Sequence, residues 1–334
     1  MVSNEVKLLA AQNTTEQHSS NKGISGSIDI SIGTDGLMFN VGLSGSRGRG
    51  DGNDVTQVTV KNNSYTQFQQ EFLADRQALI DEIKNEGEVP KAVQIINSGT
   101  GSLAGCLLAL ERYHANLAGY AWFENRDLHE LKSQCYVVAK LMYIRAITEN
   151  ALGFKGITKI YYSLISDHDE SIAWMSNSCP QSEHALHLTE NPAKPEYFEY
   201  QMSLAIREDW HNLARRAEIF LGDVPPKQKR FSADMRFYLA LAHGDRQKMS
   251  DALNEIVSPK MLKARKEDFG LHFPAQFISP LATLYAKIAS RHGHIMELET
   301  PFIPNEWLPR EALVDYIDPY PFMHAYKIGH ATST

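Results

Sequence analysis

The feature that most constrains this chain is a change of hydrophobic period near Ser64. Upstream of it, apolar residues alternate with polar ones. Ile28, Ile30 and Ile32 fall on one side, and Ser27, Asp29 and Ser31 on the other. Beyond the turn-forming Gly33-Thr34-Asp35-Gly36, the alternation resumes with Leu37, Phe39, Val41 and Leu43. A period of two matches the pleat of a strand and predicts a β-hairpin. The run from Gly45 to Gly52 is too rich in glycine to order itself cheaply, and residues 55–60 form one more short β-prone stretch.

From Tyr65 onward the spacing becomes three and four. Phe68, Phe72, Leu79 and Ile83 make one helical stripe. Leu103, Leu107, Leu110, Tyr113 and Leu117 make a second, and Leu128, Leu131, Cys135, Val138 and Met142 a third. Further helices are predicted around 169–177, 195–207, 209–221, 229–243, 245–257 and 274–291. Pro195 suits a first helical turn, while Asp209 and Asp245 suit N-caps, where a carboxylate accepts otherwise unpaired backbone N–H groups. Residues 209–221 and 245–257 also correspond to each other, 36 residues apart, with Leu213/Met249, Ala217/Leu253, Phe220/Ile256 and Leu221/Val257 in matched places. That suggests stacked helix hairpins of tetratricopeptide-like length, without that family's consensus residues. After Gly293 the pattern loosens. His294 to Glu299 is read as a short strand, Pro301, Pro304 and Pro309 exclude a helix, and Trp307, Leu308, Tyr316, Tyr320, Phe322 and Tyr326 are expected to wrap onto the helical body.

The expected fold is mainly α: a helical array of antiparallel helix hairpins behind a short glycine-rich, β-prone or disordered segment. The boundaries read from the pattern are 1–64, 65–326 and a flexible tail at 327–334. No apolar run is long enough to cross a bilayer. The opening Met1 to Lys7 has neither a basic nor an apolar leader region, so a cytoplasmic location is expected. The net charge of -7, from 33 basic and 40 acidic side chains, argues against nucleic-acid binding, which needs a basic surface. It suits a basic protein partner. Cys106, Cys135 and Cys179 are odd in number and widely spaced, so reduced thiols are expected rather than disulfides or a zinc cage.

Candidate chemistry is sparse. The glycines of Gly99-Thr100-Gly101-Ser102-Leu103-Ala104-Gly105 resemble a phosphate loop, yet no Lys-Ser/Thr follows, and Val93-Gln94-Ile95-Ile96 is a poor strand to precede one. The reading is a helix start with small residues for close packing. His184 and His187 lie one helical turn apart, but Glu183 precedes both and no third ligand stands out. His292-Gly293-His294 reads as a helix C-terminus. Asp167-His168-Asp169-Glu170 reads as a capped helix start with acids in the first turn. No nucleophile elbow or catalytic cysteine context is present. An enzyme, a cofactor and a metal are accordingly not expected.

Val6-Lys7-Leu8-Leu9-Ala10-Ala11-Gln12-Asn13-Thr14, Gln17 to Lys22 and Ser44 to Thr56 resemble the repeats of filamentous haemagglutinin-type adhesins and contact-dependent inhibition exoproteins, over about residues 5–60. In that family such segments form rungs of a long β-solenoid. A few rungs cannot bury their own faces, so this block is read as a remnant. The helical block resembles the immunity 49 family of bacterial polymorphic toxin systems. The resemblance is best from about Tyr197 to Leu313 and includes Arg246-Gln247-Lys248-Met249, Ser258-Pro259-Lys260 and Pro301 to Pro309. It implies a cytosolic protein that binds and blocks the C-terminal domain of a cognate toxin.

Charge and expected exposure single out Asp167, Asp169, Glu170, Glu196 and Glu199 as toxin contacts. Two other readings stand beside this one: a helical-repeat scaffold for an unrelated partner, and an adhesin fragment whose function lies in the first block.

Overall fold

The computed structural model describes residues 25–33, 36–44, 65–149, 158–177, 187–265, 277–296 and 298–329. The chain divides into two compact units, Met1–Thr59 and Val60–Thr334. In the first, strand β1 (Ser25–Gly33) pairs antiparallel with β2 (Gly36–Ser44), with Ile30 opposite Phe39 and Ile28 opposite Val41. The period of two is therefore realised as the hairpin it predicts. The glycine run and residues 55–60 lie outside the described residues.

In the second unit, every regular element among the described residues is helical. Helix α1 (Gln67–Asn85) starts at Thr66, whose hydroxyl accepts from the Gln69 amide while the Gln69 side chain returns to Thr66, a capping box. Its buried face is Gln69, Leu73 and Ile80, with Phe68 exposed. The stripe read from Phe68 is thus about one residue out of phase. Helix α2 (Glu88–Ser98) occupies the segment read as a poor strand; Pro90 sits in its first turn, where a missing N–H costs nothing. The glycines that follow make a turn, not a loop around an anion. Gly99 and Gly101 take left-handed backbone, and Ser102 caps α3 (Leu103–Phe123) by accepting from the Gly105 amide.

Helix α4 (Leu128–Thr148), capped by Asp127, packs antiparallel against α3 and forms the centre of the unit. The predicted residues Leu131, Cys135, Val138 and Met142 are buried, but so are Tyr136, Val137, Leu141, Tyr143 and Ile144 on the other side. A helix with buried apolar residues on opposite sides lies between two cores. One core holds most of the later helices; the other holds Ala92, Leu107 and Leu110 under Tyr320, Met323 and Ile328.

Helices α5 (Thr158–Ser166) and α6 (Asp169–Asn177) follow, and then two hairpins: α7 (Pro195–Ile206) with α8 (Trp210–Gly222), and α9 (Ser232–Ala242) with α10 (Arg246–Ile256). Each helix packs on the next, and α7 also packs on α9, which is the stacking that the 36-residue correspondence predicts. Leu213, Ala217, Phe220, Met249, Leu253 and Ile256 are all fully buried. The short α11 (Pro259–Arg265) leads towards α12 (Pro280–Arg291), which packs on α5 and α10.

No strand forms at 294–299 among the described residues; the chain runs irregularly to a 3-10 turn at Asn305–Trp307. Trp307, Leu308 and Tyr320 are buried, with Tyr316, Phe322 and Tyr326 packed against the same cores, so the aromatic segment does wrap the body. At its end Ile328 is buried and the Lys327 carbonyl accepts from Tyr143, which anchors the beginning of the stretch read as a flexible tail.

Candidate interaction surface

The turns between paired helices build the most distinctive surface of the helical unit. At the end of α7 the Asp209 amide donates to the Leu204 carbonyl at 3.0 Å, and the Glu208 amide to Ala205 at 3.3 Å. At the end of α9 the Asp245 amide donates to Ala240 at 2.9 Å, and the Gly244 amide to Leu241 at 3.1 Å. Both are Schellman turns, in which the penultimate residue must adopt left-handed backbone. Gly244 does so at φ 67°, and Glu208 at φ 62°. In each hairpin the next residue, Asp209 or Asp245, becomes the N-cap of the following helix. Helix α12 ends in the same way, with Gly293 at φ 81° and the His294 amide donating to Ala289.

These three helix ends meet around a cleft of about 600 Å³, lined among others by Glu208, Trp210, His243, Gly244, Arg291, His292 and His294. Trp210 and His292 pack edge to face, 4.8 Å between ring centres. The Glu208 carboxylate lies 3.4 Å from His292 Nδ1. Burial holds the His292 ring below its ordinary pKa despite Glu208, and His294 is lowered by burial and by Arg246. Burial thus disfavours the charged form of both rings. Neighbouring cations are engaged elsewhere: Arg291 with Asp167 and Asp169, and Arg246 with the Gly293 carbonyl at 3.2 Å. Glu208 thus brings to the cleft a carboxylate whose partner among the described residues is the His292 ring and not a guanidinium or ammonium, beside the C-terminal carbonyls of α12, which are themselves partly negative.

The acidic turn lies behind Arg291. Asp167, chosen for exposure, is buried instead, so that expectation is corrected. It takes left-handed backbone at φ 59° and receives Lys132 at 3.0 Å, Lys287 at 2.7 Å, Arg291 at 3.3 Å and the Glu311 amide at 3.3 Å. Burial pulls the Lys287 ammonium down to about 8, against the attraction of Asp167. Lys287 also donates to the Trp307 and Pro309 carbonyls, and Lys132 to that of Glu311. This network fastens the C-terminal segment to α4 and α12.

Asp169 is exposed and held between Arg291 at 2.7 Å and Arg310 at 2.8 Å. Partial burial opposes its ionisation, but the two guanidiniums keep its carboxyl below the usual range. Glu170 is exposed in the first turn of α6. The cap of that helix is His168, whose Nδ1 accepts from the Ser171 amide. Glu196 and Glu199 are half-buried on α7, and one Glu196 carboxylate oxygen is buried without a hydrogen-bond partner among the described residues. The structure therefore brings Asp167 and Asp169 together through Arg291 and leaves Glu196 and Glu199 on another helix.

Sequence reasoning missed Glu208 and Trp210. A signal was present: the 36-residue correspondence sets Glu208 against Gly244, just before two equivalent N-caps. His184 and Cys179 lie outside the described residues. Among the described residues, no three His, Cys, Asp or Glu side chains converge as metal ligands would, and no helix is long and apolar enough to cross a membrane.

Fold and surface together define the class: an array of helix hairpins with a polar cleft where helix C-termini converge. Residues 191–307 match the immunity protein 49 family, and residues 2–71 match the hemagglutinin repeat. Every cleft residue lies within the first matched segment. The second runs into the first turns of α1. No curated protein and no solved structure matches the chain. The first match supports an immunity role for the helical unit in general terms.

Proposed function

We propose that this chain is a cytoplasmic immunity protein that binds the C-terminal domain of a cognate bacterial toxin and blocks it by stoichiometric occlusion, without chemistry of its own. The observation that carries this reading is the immunity protein 49 match over residues 191–307. The net charge of -7 favours a basic toxin, because complementary charge speeds encounter and suppresses wrong partners. The helix-hairpin array suits this role: stacked hairpins present side chains from several helices on one rigid surface. The hemagglutinin-repeat match at residues 2–71 fits the same setting, in which a fragment of an adhesin-type toxin gene has become joined to an immunity gene.

The test is co-expression with the toxin C-terminal domain encoded beside the gene. Restored growth and a one-to-one complex on size exclusion are expected. Continued growth arrest with no complex would overturn the proposal.

A further inference from the structure

We infer that the cleft at the ends of α7, α9 and α12 receives an arginine side chain of a protein partner, with Glu208 as its carboxylate; that the partner is a toxin rests on the function proposed above. The first support is backbone strain. Among the described residues only Arg126, Asp167 and Glu208 are non-glycine residues in left-handed backbone, a conformation that L side chains resist. Arg126 stacks over Trp122 and Tyr65, with 5.2 and 5.8 Å to the ring centres. Asp167 binds buried cations. Glu208 has no comparable internal use. Its side chain is 65% exposed, and the sister hairpin places Gly244 at the same turn position. Its internal contact is the His292 ring at 3.4 Å, a weaker tie than the buried cations of Asp167, and strain kept for so little internal gain points to a functional residue.

The second support is charge. The nearby guanidiniums of Arg291 and Arg246 already have partners. At the two hairpin turns a helix C-terminus and the next N-terminus offset each other, so Glu208 and the C-terminus of α12 are what favour an incoming cation. The third is shape. The cleft, about 600 Å³, offers the rings of Trp210 and His292 beside the carboxylate. A planar guanidinium can stack on a ring and share its N–H donors with a carboxylate, which a lysine ammonium does less well. Insertion of one arginine into a prepared pocket is a common form of interface hot spot.

The test uses the full chain and two peptides, acetyl-Gly-Arg-Gly-amide and its neutral citrulline counterpart, followed by NMR of the His243, His292 and His294 ring protons. The arginine peptide is expected to shift these resonances and the citrulline peptide to leave them in place. Glu208→Gln should weaken binding about tenfold, the loss of one charge-assisted contact. Glu208→Gly, which relaxes the turn but removes the carboxylate, should weaken it as much. Equal binding of both peptides, no shift, or unchanged affinity in both variants would overturn the inference. The two readings fail separately. Growth protection without arginine binding removes the cleft and leaves the immunity role standing; arginine binding without protection does the reverse.

Discussion

At position 208 the backbone is bent in a way that glycine accepts freely and glutamate does not. Glu208→Gly is therefore expected to stabilise the fold by about 1 kcal/mol, read as a higher midpoint in urea. An unchanged or lower midpoint would mean that the contact with His292 outweighs the strain. Asp167 is the opposite case. Asp167→Asn keeps the shape and the tolerance for left-handed backbone, but leaves Lys132 and Lys287 buried without their counter-charge. Breaking a buried pair in this way costs about 3–5 kcal/mol; a loss below 1 kcal/mol by the same denaturation assay would contradict the network drawn here. The sequence could identify Asp167 as a carboxylate at a helix junction. It could not show that Lys132, Lys287 and Arg291 arrive from distant helices to bury it.

Among the helices, what was legible was local. Asp209 and Asp245 were readable as N-caps because a cap depends on the three residues that follow it. Each accepts from the expected amide, Asn212 and Lys248. Asp209→Ala and Asp245→Ala should each lower stability by about 1 kcal/mol, measured by thermal or urea unfolding. The stripe on α1 was misread by about one residue because Phe68 and Phe72 outweigh Gln69 in any hydrophobic count, whereas the fold buries Gln69 as half of a capping box. The second face of α4 was missed for another reason: part of its cover comes from residues 320–328, far along the chain. That junction carries a pH signature. His114 Nε2 meets the Tyr320 hydroxyl at 2.7 Å and Nδ1 meets Gln134 at 2.5 Å. Burial lowers its pKa to about 4 from 6.5. Between those values the unfolded chain binds more protons than the folded one, so stability should fall as pH drops from 6.5 towards 4, by up to about 3 kcal/mol. Burial lowers His168, His292 and His294 in the same direction. Denaturation series across this range should show a shallower slope in His114→Gln; an identical slope would remove His114 as the cause.

For the whole molecule, the change of period near Ser64 separates a β-hairpin unit from a helical one, and the two family matches fall largely to either side of it. Removing residues 1–64 is expected to leave the melting temperature of the helical unit unchanged and growth protection intact. Loss of protection with an unchanged melting temperature would return the function to the adhesin-like block. Fold class and repeat stacking were legible because period and spacing are written locally. The cleft was not, because it exists only where three turns from separate helices meet.

The position of α4 between two cores also sets an order of events during synthesis. Its first face can be covered by helices made soon after it. Its second face meets Leu107 and Leu110 of α3, made before it, and is completed only by Tyr320, Met323 and Ile328 much later in the chain. At 5–20 residues per second, roughly 10–40 s separate the two on a ribosome. For that interval Tyr136, Lys140 and Tyr143, which reach Asp318 and the Lys327 carbonyl in the finished fold, lack those partners. Residues 320–328 therefore act as a late closing piece, and the second core is complete only once they have been made.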